Sequence, residues 1–175
     1  MDRPPVNVER IGATVTITMD RPERRNALSL DHLRALVDAF GEVAAGDATG
    51  VVLAGSGPVL SAGHDLGELR GLAVAGVRAL LDVCTELMTT LHTIPQVVVA
   101  RVHGLATAAG CQLVAACDLA VAAESAAFAL PGGKGGWFCT TPMVEVGRAV
   151  ARKRAMEMAF TGDAIDARTA EAWGL

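Results

Sequence analysis

The sequence predicts an α/β domain in which sheet is buried beneath helices. Segments of strand period alternate with segments of helical period along its 175 residues. Hydrophobic residues make up 51% of the chain and charged ones 19%, which supports a packed core and argues against disorder. The length suits one domain with a sizeable core.

Residues 13–19 alternate, with Val15, Ile17 and Met19 on one face and threonines on the other, the period of a half-buried strand. Polar residues 20–26, with Pro22, break it. Ser29 is placed to cap a helix in which Leu30, Leu33, Val37, Phe40 and Val43 recur at helical spacing. After Gly50, residues 51–54 read as a short buried strand ending in a Gly-Ser-Gly-Pro loop. A second helix is expected over about 77–92, ahead of Pro95, and a buried strand over 97–102, stopped by His103 and Gly104. Small residues 106–110 open another helix running to about Cys117, and a strand follows at 119–122. Residues 130–142, rich in Gly, read as a loop. Helical pattern resumes over about 148–160, and Asp166 is placed to cap a last helix ended by Gly174.

Several classes of function are disfavoured. Charged residues interrupt every apolar run before it reaches the length of a membrane span. The start of the chain, with Asp2, Arg3, Pro4 and Pro5, has no apolar signal core. A net charge of -4 gives no electrostatic reason to expect nucleic acid or an anionic membrane. Cys84, Cys111, Cys117 and Cys139 form no CxxC pair and no His/Cys ligand spacing, so they read as small buried hydrophobes in a reducing cytoplasm. No metal and no separate cofactor is expected.

Three segments stand out together: Arg25-Asn26-Ala27-Leu28-Ser29, Leu60-Ser61-Ala62-Gly63-His64-Asp65-Leu66, and Val102-His103-Gly104-Leu105-Ala106-Thr107-Ala108-Ala109-Gly110-Cys111-Gln112-Leu113. Each alone is weak. In this order and spacing they resemble the crotonase (enoyl-CoA hydratase/isomerase) superfamily. Ala116-Cys117-Asp118-Leu119-Ala120, Ala155-Met156-Glu157-Met158 and Thr161-Gly162-Asp163-Ala164-Ile165 extend the likeness over almost the whole chain. The resemblance implies the crotonase spiral of ββα units, an acyl-CoA or enoyl-CoA thioester as ligand, coenzyme A only as part of that substrate, and assembly as a homotrimer or a dimer of trimers.

The chemistry behind the motifs is local. A thioester reacting at its α- or β-carbon passes through an enolate, and two main-chain N–H groups aimed at its oxygen stabilise that charge without reorganisation. Carried over by motif position, those donors are the N–H groups of His64 and Ala109. The family often has Gly where Ala109 stands, so the methyl narrows the pocket. Backbone at Ala62 and Gly63 is implied to recognise adenine, and the loop before Ala27 to run along the pantetheine and phosphates, flanked by Asp65 and Leu66. Arg24 or Arg25 suits phosphate by guanidinium geometry. The basic residue the family often carries two positions after Asp65 is here Gly67.

Two departures bear on activity. Hydration needs a water held between two carboxylates. The family's first glutamate falls at Gln112, whose amide orients water but exchanges no proton near neutral pH. The second follows a proline and falls at Gly132. The isomerases' single glutamate would lie in 137–142, which has no carboxylate; Glu145, the nearest acid, sits among helix-like residues beyond Pro142. Trp137 and Phe138 suit either an acyl-pocket wall or the core. This loop, with Gln112, resembles a vertebrate mitochondrial subgroup that bears the hydratase name without its glutamates. His64 is a weaker candidate as a catalytic side chain than as a backbone donor. Cys111 and Cys139 would need depressed pKa values to be nucleophiles. His32, His92 and His103 read as structural.

The resemblance ends at Ala172-Trp173-Gly174-Leu175, where family members continue into a C-terminal helical segment. Residues 1–175 are therefore expected to be one crotonase-like core truncated before those helices, with apolar surface exposed and self-association as its remedy. Three functional readings stay open: an enzyme working through an enolate, a non-catalytic acyl-CoA-binding or regulatory protein, and a structural fragment with an incomplete site.

Overall fold

The computed structural model describes residues 4–175, so Asp2 and Arg3 lie outside the described residues. Two sheets share the core. The first has strand order β1-β2-β3-β5-β7, built from Val6–Ile11, Thr14–Met19, Gly50–Gly55, Val97–Val102 and Leu119–Ala122. The second has order β4-β6-β8-β9, from Val59–Ser61, Leu105–Thr107, Ala127–Ala129 and Ile165–Asp166. Pairing is parallel except at β1 with β2 and β8 with β9.

From β3 to β8 the chain alternates between the sheets, and a helical segment follows each pair of strands. After β3 and β4 come α2 (Leu66–Leu69) and α3 (Val74–Thr93); after β5 and β6 comes α4 (Ala109–Ala116); after β7 and β8 come α5 (Pro142–Ala149) and α6 (Arg152–Thr161). This is the spiral of ββα units that the resemblance implies. Before it lies α1 (Leu30–Ala44), which packs against α3, and after it α7 (Ala167–Trp173).

Local signals explain many boundaries. Ser29 caps α1 by accepting from the His32 N–H, and Leu33, Leu36, Phe40 and Val43 recur on its buried face. In β2, Val15, Ile17 and Met19 are buried as their alternation predicts. Asp166 caps α7 through the Thr169 N–H at 2.7 Å, and Gly174 ends it in the left-handed region at φ +93°.

Three expectations need correction. Residues 106 and 107 belong to β6, and α4 begins only at Ala109, because Leu105–Thr107 pairs with β8. The helical pattern expected over 148–160 is two helices, α5 and α6, broken where Val150 turns extended and is buried. The loop at 130–142 contains a short 3-10 turn, Pro131–Gly135, and ends where α5 starts.

Candidate active site

The site grows from an anchored loop. Arg25 and Asn26 both adopt positive φ, at 53° and 50°, which turns the chain sharply after the 3-10 turn Pro22–Arg24. Asn26 is fully buried. Its Nδ2 donates to the Ser56, Val59 and Leu60 carbonyls at 2.9, 3.1 and 3.0 Å, and its Oδ1 accepts from the Arg21 N–H at 2.9 Å. One side chain thus locks the N-terminal loop to the entry of β4. Arg21 extends the lock, donating to the Ala27 carbonyl and Ser29 Oγ at 3.0 and 2.9 Å. Ser61 Oγ donates to the Asn26 carbonyl and accepts from the Gly63 N–H.

Beyond β4, the segment around His64 runs parallel to Leu28, which donates to the Gly63 carbonyl and accepts from the Asp65 N–H. The alternation leaves the His64 N–H without an acceptor among the described residues. Gly63 sits at φ +80°, and a Cβ there would lie 2.9 Å from the Ala108 methyl and 3.1 Å from the Ala109 nitrogen. The turn at Gly63 therefore rests directly on the entry to α4. Ala108 itself holds φ 51° and ψ −120°, a region suited to Gly that costs on the order of 1–3 kcal/mol. Its N–H donates to the Ala129 carbonyl, so β6 pairs to its end before the chain reverses. Ala109 is then the first residue of α4, with a free N–H at the positive end of the helix.

His64 and Ala109 both line a cavity of about 430 Å³. Ala62 and Leu66 line it with them, as do Leu81, Phe138 and residues of the 131–142 loop. Among the described lining residues none carries a carboxylate. Gly132 also lines the cavity, but no side chain fits there: a Cβ would collide with the Trp137 carbonyl and come within 2.7 Å of Cys139 Sγ. Its N–H donates to that sulfur, and its carbonyl accepts from the Trp137 N–H. The backbone has closed over the position.

Other sequence-predicted residues lie back from the wall. Gln112, one turn into α4, is buried with its Oε1 unpartnered. Arg24, Arg25, Ala27, Gly63 and Asp65 do not line the cavity. Asp65 caps α2 through the Gly67 and Glu68 N–H groups and pairs with Arg24 at 3.2 Å. Burial pushes its carboxyl up, but Arg24 and the two N–H groups outweigh that and hold it below the usual range. Arg25 is exposed and has no ion pair among the described residues.

The His64 ring lies apart from its N–H. Both ring nitrogens are shut off from solvent and lack a well-formed hydrogen bond. Burial pushes the imidazole down, offset only in part by the nearby Leu28 main chain. Burial also raises the cysteines, Cys111 to about 12, and raises Cys139 despite the Gly132 N–H. No thiol here is activated. Glu145 is buried on α5, 2.9 Å from His92 Nε2 and 3.3 Å from Arg148, beside a second cavity of about 420 Å³. His103 Nε2 donates to the Gly57 carbonyl at 2.7 Å, and His32 Nδ1 to the Ala27 carbonyl at 3.1 Å, consistent with structural roles.

The enoyl-CoA hydratase/isomerase family model matches residues 9–175. This chain belongs to that family. Rat mitochondrial enoyl-CoA hydratase domain-containing protein 3 is 47% identical over 161 residues, which cover 91% of this chain and 54% of the relative. A crystal structure of enoyl-CoA hydratase from Mycobacterium smegmatis superposes with TM-score 0.96 at 46% identity, covering 98% of this chain and 68% of that one. The human domain-containing protein 3 structure gives TM-score 0.91 at 40% identity, over 97% and 68%. These establish the crotonase fold and the likeness to enoyl-CoA hydratase domain-containing protein 3. The chain spans about half the length of the curated mammalian relative it matches. Among the described residues no helix is long and apolar enough to cross a membrane. The domain-containing protein 3 relatives are named mitochondrial, which leaves the cytoplasmic expectation unestablished.

What sequence reasoning missed in this enoyl-CoA hydratase/isomerase family site is chiefly Arg21 and the reach of Asn26. A buried polar residue between two turn segments was the available signal for Asn26. For Arg21 there was none beyond its charge.

Proposed function

We propose that this chain binds an acyl-CoA or enoyl-CoA thioester in the 430 Å³ cavity and polarises it, without performing two-carboxylate hydration. The observation that carries this reading is the pair of unpaired N–H groups, at His64 and Ala109, on the wall of an apolar cavity that holds no carboxylate. The thioester oxygen would accept from both donors, and negative charge developing there is stabilised by fixed dipoles and the α4 N-terminus. The coenzyme would leave past Ala62 and Leu66 toward the loop of Ala27, with Arg25 free for phosphate and Arg24 available only by giving up Asp65.

The enclosed His64 ring and the unactivated Cys139 leave no evident proton carrier, which favours a second reading, a non-catalytic acyl-CoA-binding protein. Self-association as a homotrimer or hexamer belongs to the same proposal. It draws support from the edge strand β7, where Leu119 and Val121 are exposed.

The test is to titrate crotonyl-CoA by calorimetry and then follow loss of its conjugated absorbance. Binding with no hydration above the buffer rate is expected, and rapid hydration would overturn the reading. Exchange of α-protons of butyryl-CoA in deuterated buffer separates the two versions. Exchange marks an enolate-forming enzyme, and its absence a binding protein.

A further inference from the structure

The cavity has one charged side chain among its described lining residues, Arg70. Arg70 is the C-cap of α2, is exposed, and has no ion pair among the described residues. Leu66 and Arg70 are four residues apart and so share the face of α2 that borders the cavity. His64 lies just before Asp65, the N-cap of this four-residue helix, and Arg70 just after its last residue. Leu66, Leu69, Leu81 and Phe138 supply apolar wall to the same cavity. The cavity therefore offers main-chain donors, apolar wall and a single cation. A ligand matching it has a thioester, a hydrocarbon chain and a distal anion.

We propose that the site selects CoA esters whose acyl chain ends in a carboxylate, which Arg70 receives. This rests on the acyl-CoA reading above and adds the substrate class. A planar guanidinium takes a carboxylate through two parallel hydrogen bonds. No lining carboxylate repels the incoming anion. A neutral chain end of equal length leaves the cation unpaired and gains only the apolar contacts. The coenzyme's own phosphates are the other anions at hand, and the experiment tells them apart.

Calorimetric titration with adipoyl-CoA, hexanoyl-CoA and free CoA is made on the whole chain and on Arg70→Met, which keeps the apolar stem at an exposed position. The wild type is expected to prefer adipoyl-CoA over hexanoyl-CoA by roughly tenfold or more, the effect of a charge-assisted hydrogen-bonded pair. Arg70→Met should abolish the preference and leave hexanoyl-CoA and CoA affinities unchanged. Arg70→Lys should keep part of it. Equal wild-type affinity for the two esters overturns the proposal. Equal weakening of all three ligands by Arg70→Met also overturns it and assigns Arg70 to the phosphates. If neither ester nor CoA binds, the acyl-CoA reading itself falls and takes this proposal with it.

Discussion

The two walls of the cavity are built in different ways. The wall at His64 and Ala109 uses main chain, fixed from behind by Asn26, Arg21 and Ser61 and by the contact of Gly63 with Ala108. The wall at 131–142 uses side chains and a closed turn, with Gly132 pressed against Trp137 and Cys139. On the reading proposed above, enolate stabilisation needs only donors in place, and the His64 and Ala109 N–H groups are unpaired among the described residues. Proton transfer needs an ionisable group with room to reach the substrate, and the second wall supplies neither.

The largest effect is expected from breaking the first wall. Asn26→Ala leaves three carbonyls short of a donor and keeps a positive φ that Ala tolerates poorly. A loss of about 3 kcal/mol in urea unfolding follows from the cost of buried unsatisfied groups. Gly63→Ala should cost roughly 2–4 kcal/mol, from φ strain plus the clash with Ala108, and should weaken acyl-CoA binding in any folded fraction. If either variant unfolds like wild type, the donor wall is not held as described.

The second wall gives the next effect. Gln112→Glu with Gly132→Glu restores the family's carboxylates in sequence, yet hydration of crotonyl-CoA is expected to stay at the buffer rate. Any side chain at 132 must displace the Trp137 carbonyl, at a cost of about 1–3 kcal/mol in stability. Hydration by the double variant would mean that the loop opens readily and that the two glutamates suffice for hydration.

How legible all this was depends on how sharply a segment's hydropathy contrasts with its flanks. Strands β5 and β7 were readable to the residue because Val97–Val102 and Leu119–Ala122 are apolar runs between clear stops. Strand β1 was missed since it is almost wholly exposed at a sheet edge and shows no alternation. Strands β4, β6 and β8 are three residues each, too short for a period, and exist through pairing across the chain. The site divided similarly. A main-chain donor has no residue type to betray it, so His64 and Ala109 were legible only through family resemblance. The loss of both glutamates could be read directly. That the turn had closed over Gly132 could not, because it depends on Trp137 and Cys139 folding back.

A pH effect sharpens the contrast within the first wall. Burial holds His32 and His64 below their ordinary value, although the Ala27 and Leu28 main chain pulls each partly back. In the unfolded chain both imidazoles bind a proton near pH 6.5, while in the fold they resist it. The unfolded state therefore binds more protons below that pH. Their contribution is fully present above pH 6.5 and declines as pH falls toward the lower folded values. Urea midpoints should drop between pH 7 and pH 5, and His32→Gln should flatten the drop.

The smallest effect is expected at His64 itself. If only its N–H serves the ligand, His64→Ala keeps the donor and removes a ring whose nitrogens make no well-formed hydrogen bond. Crotonyl-CoA affinity should then change by less than about threefold, roughly 0.6 kcal/mol. Any α-proton exchange seen in the wild type should persist. A loss of about 100-fold, the scale of removing a general base, would instead mean that the ring swings out to the substrate. The first wall would then carry the proton transfer that the second cannot.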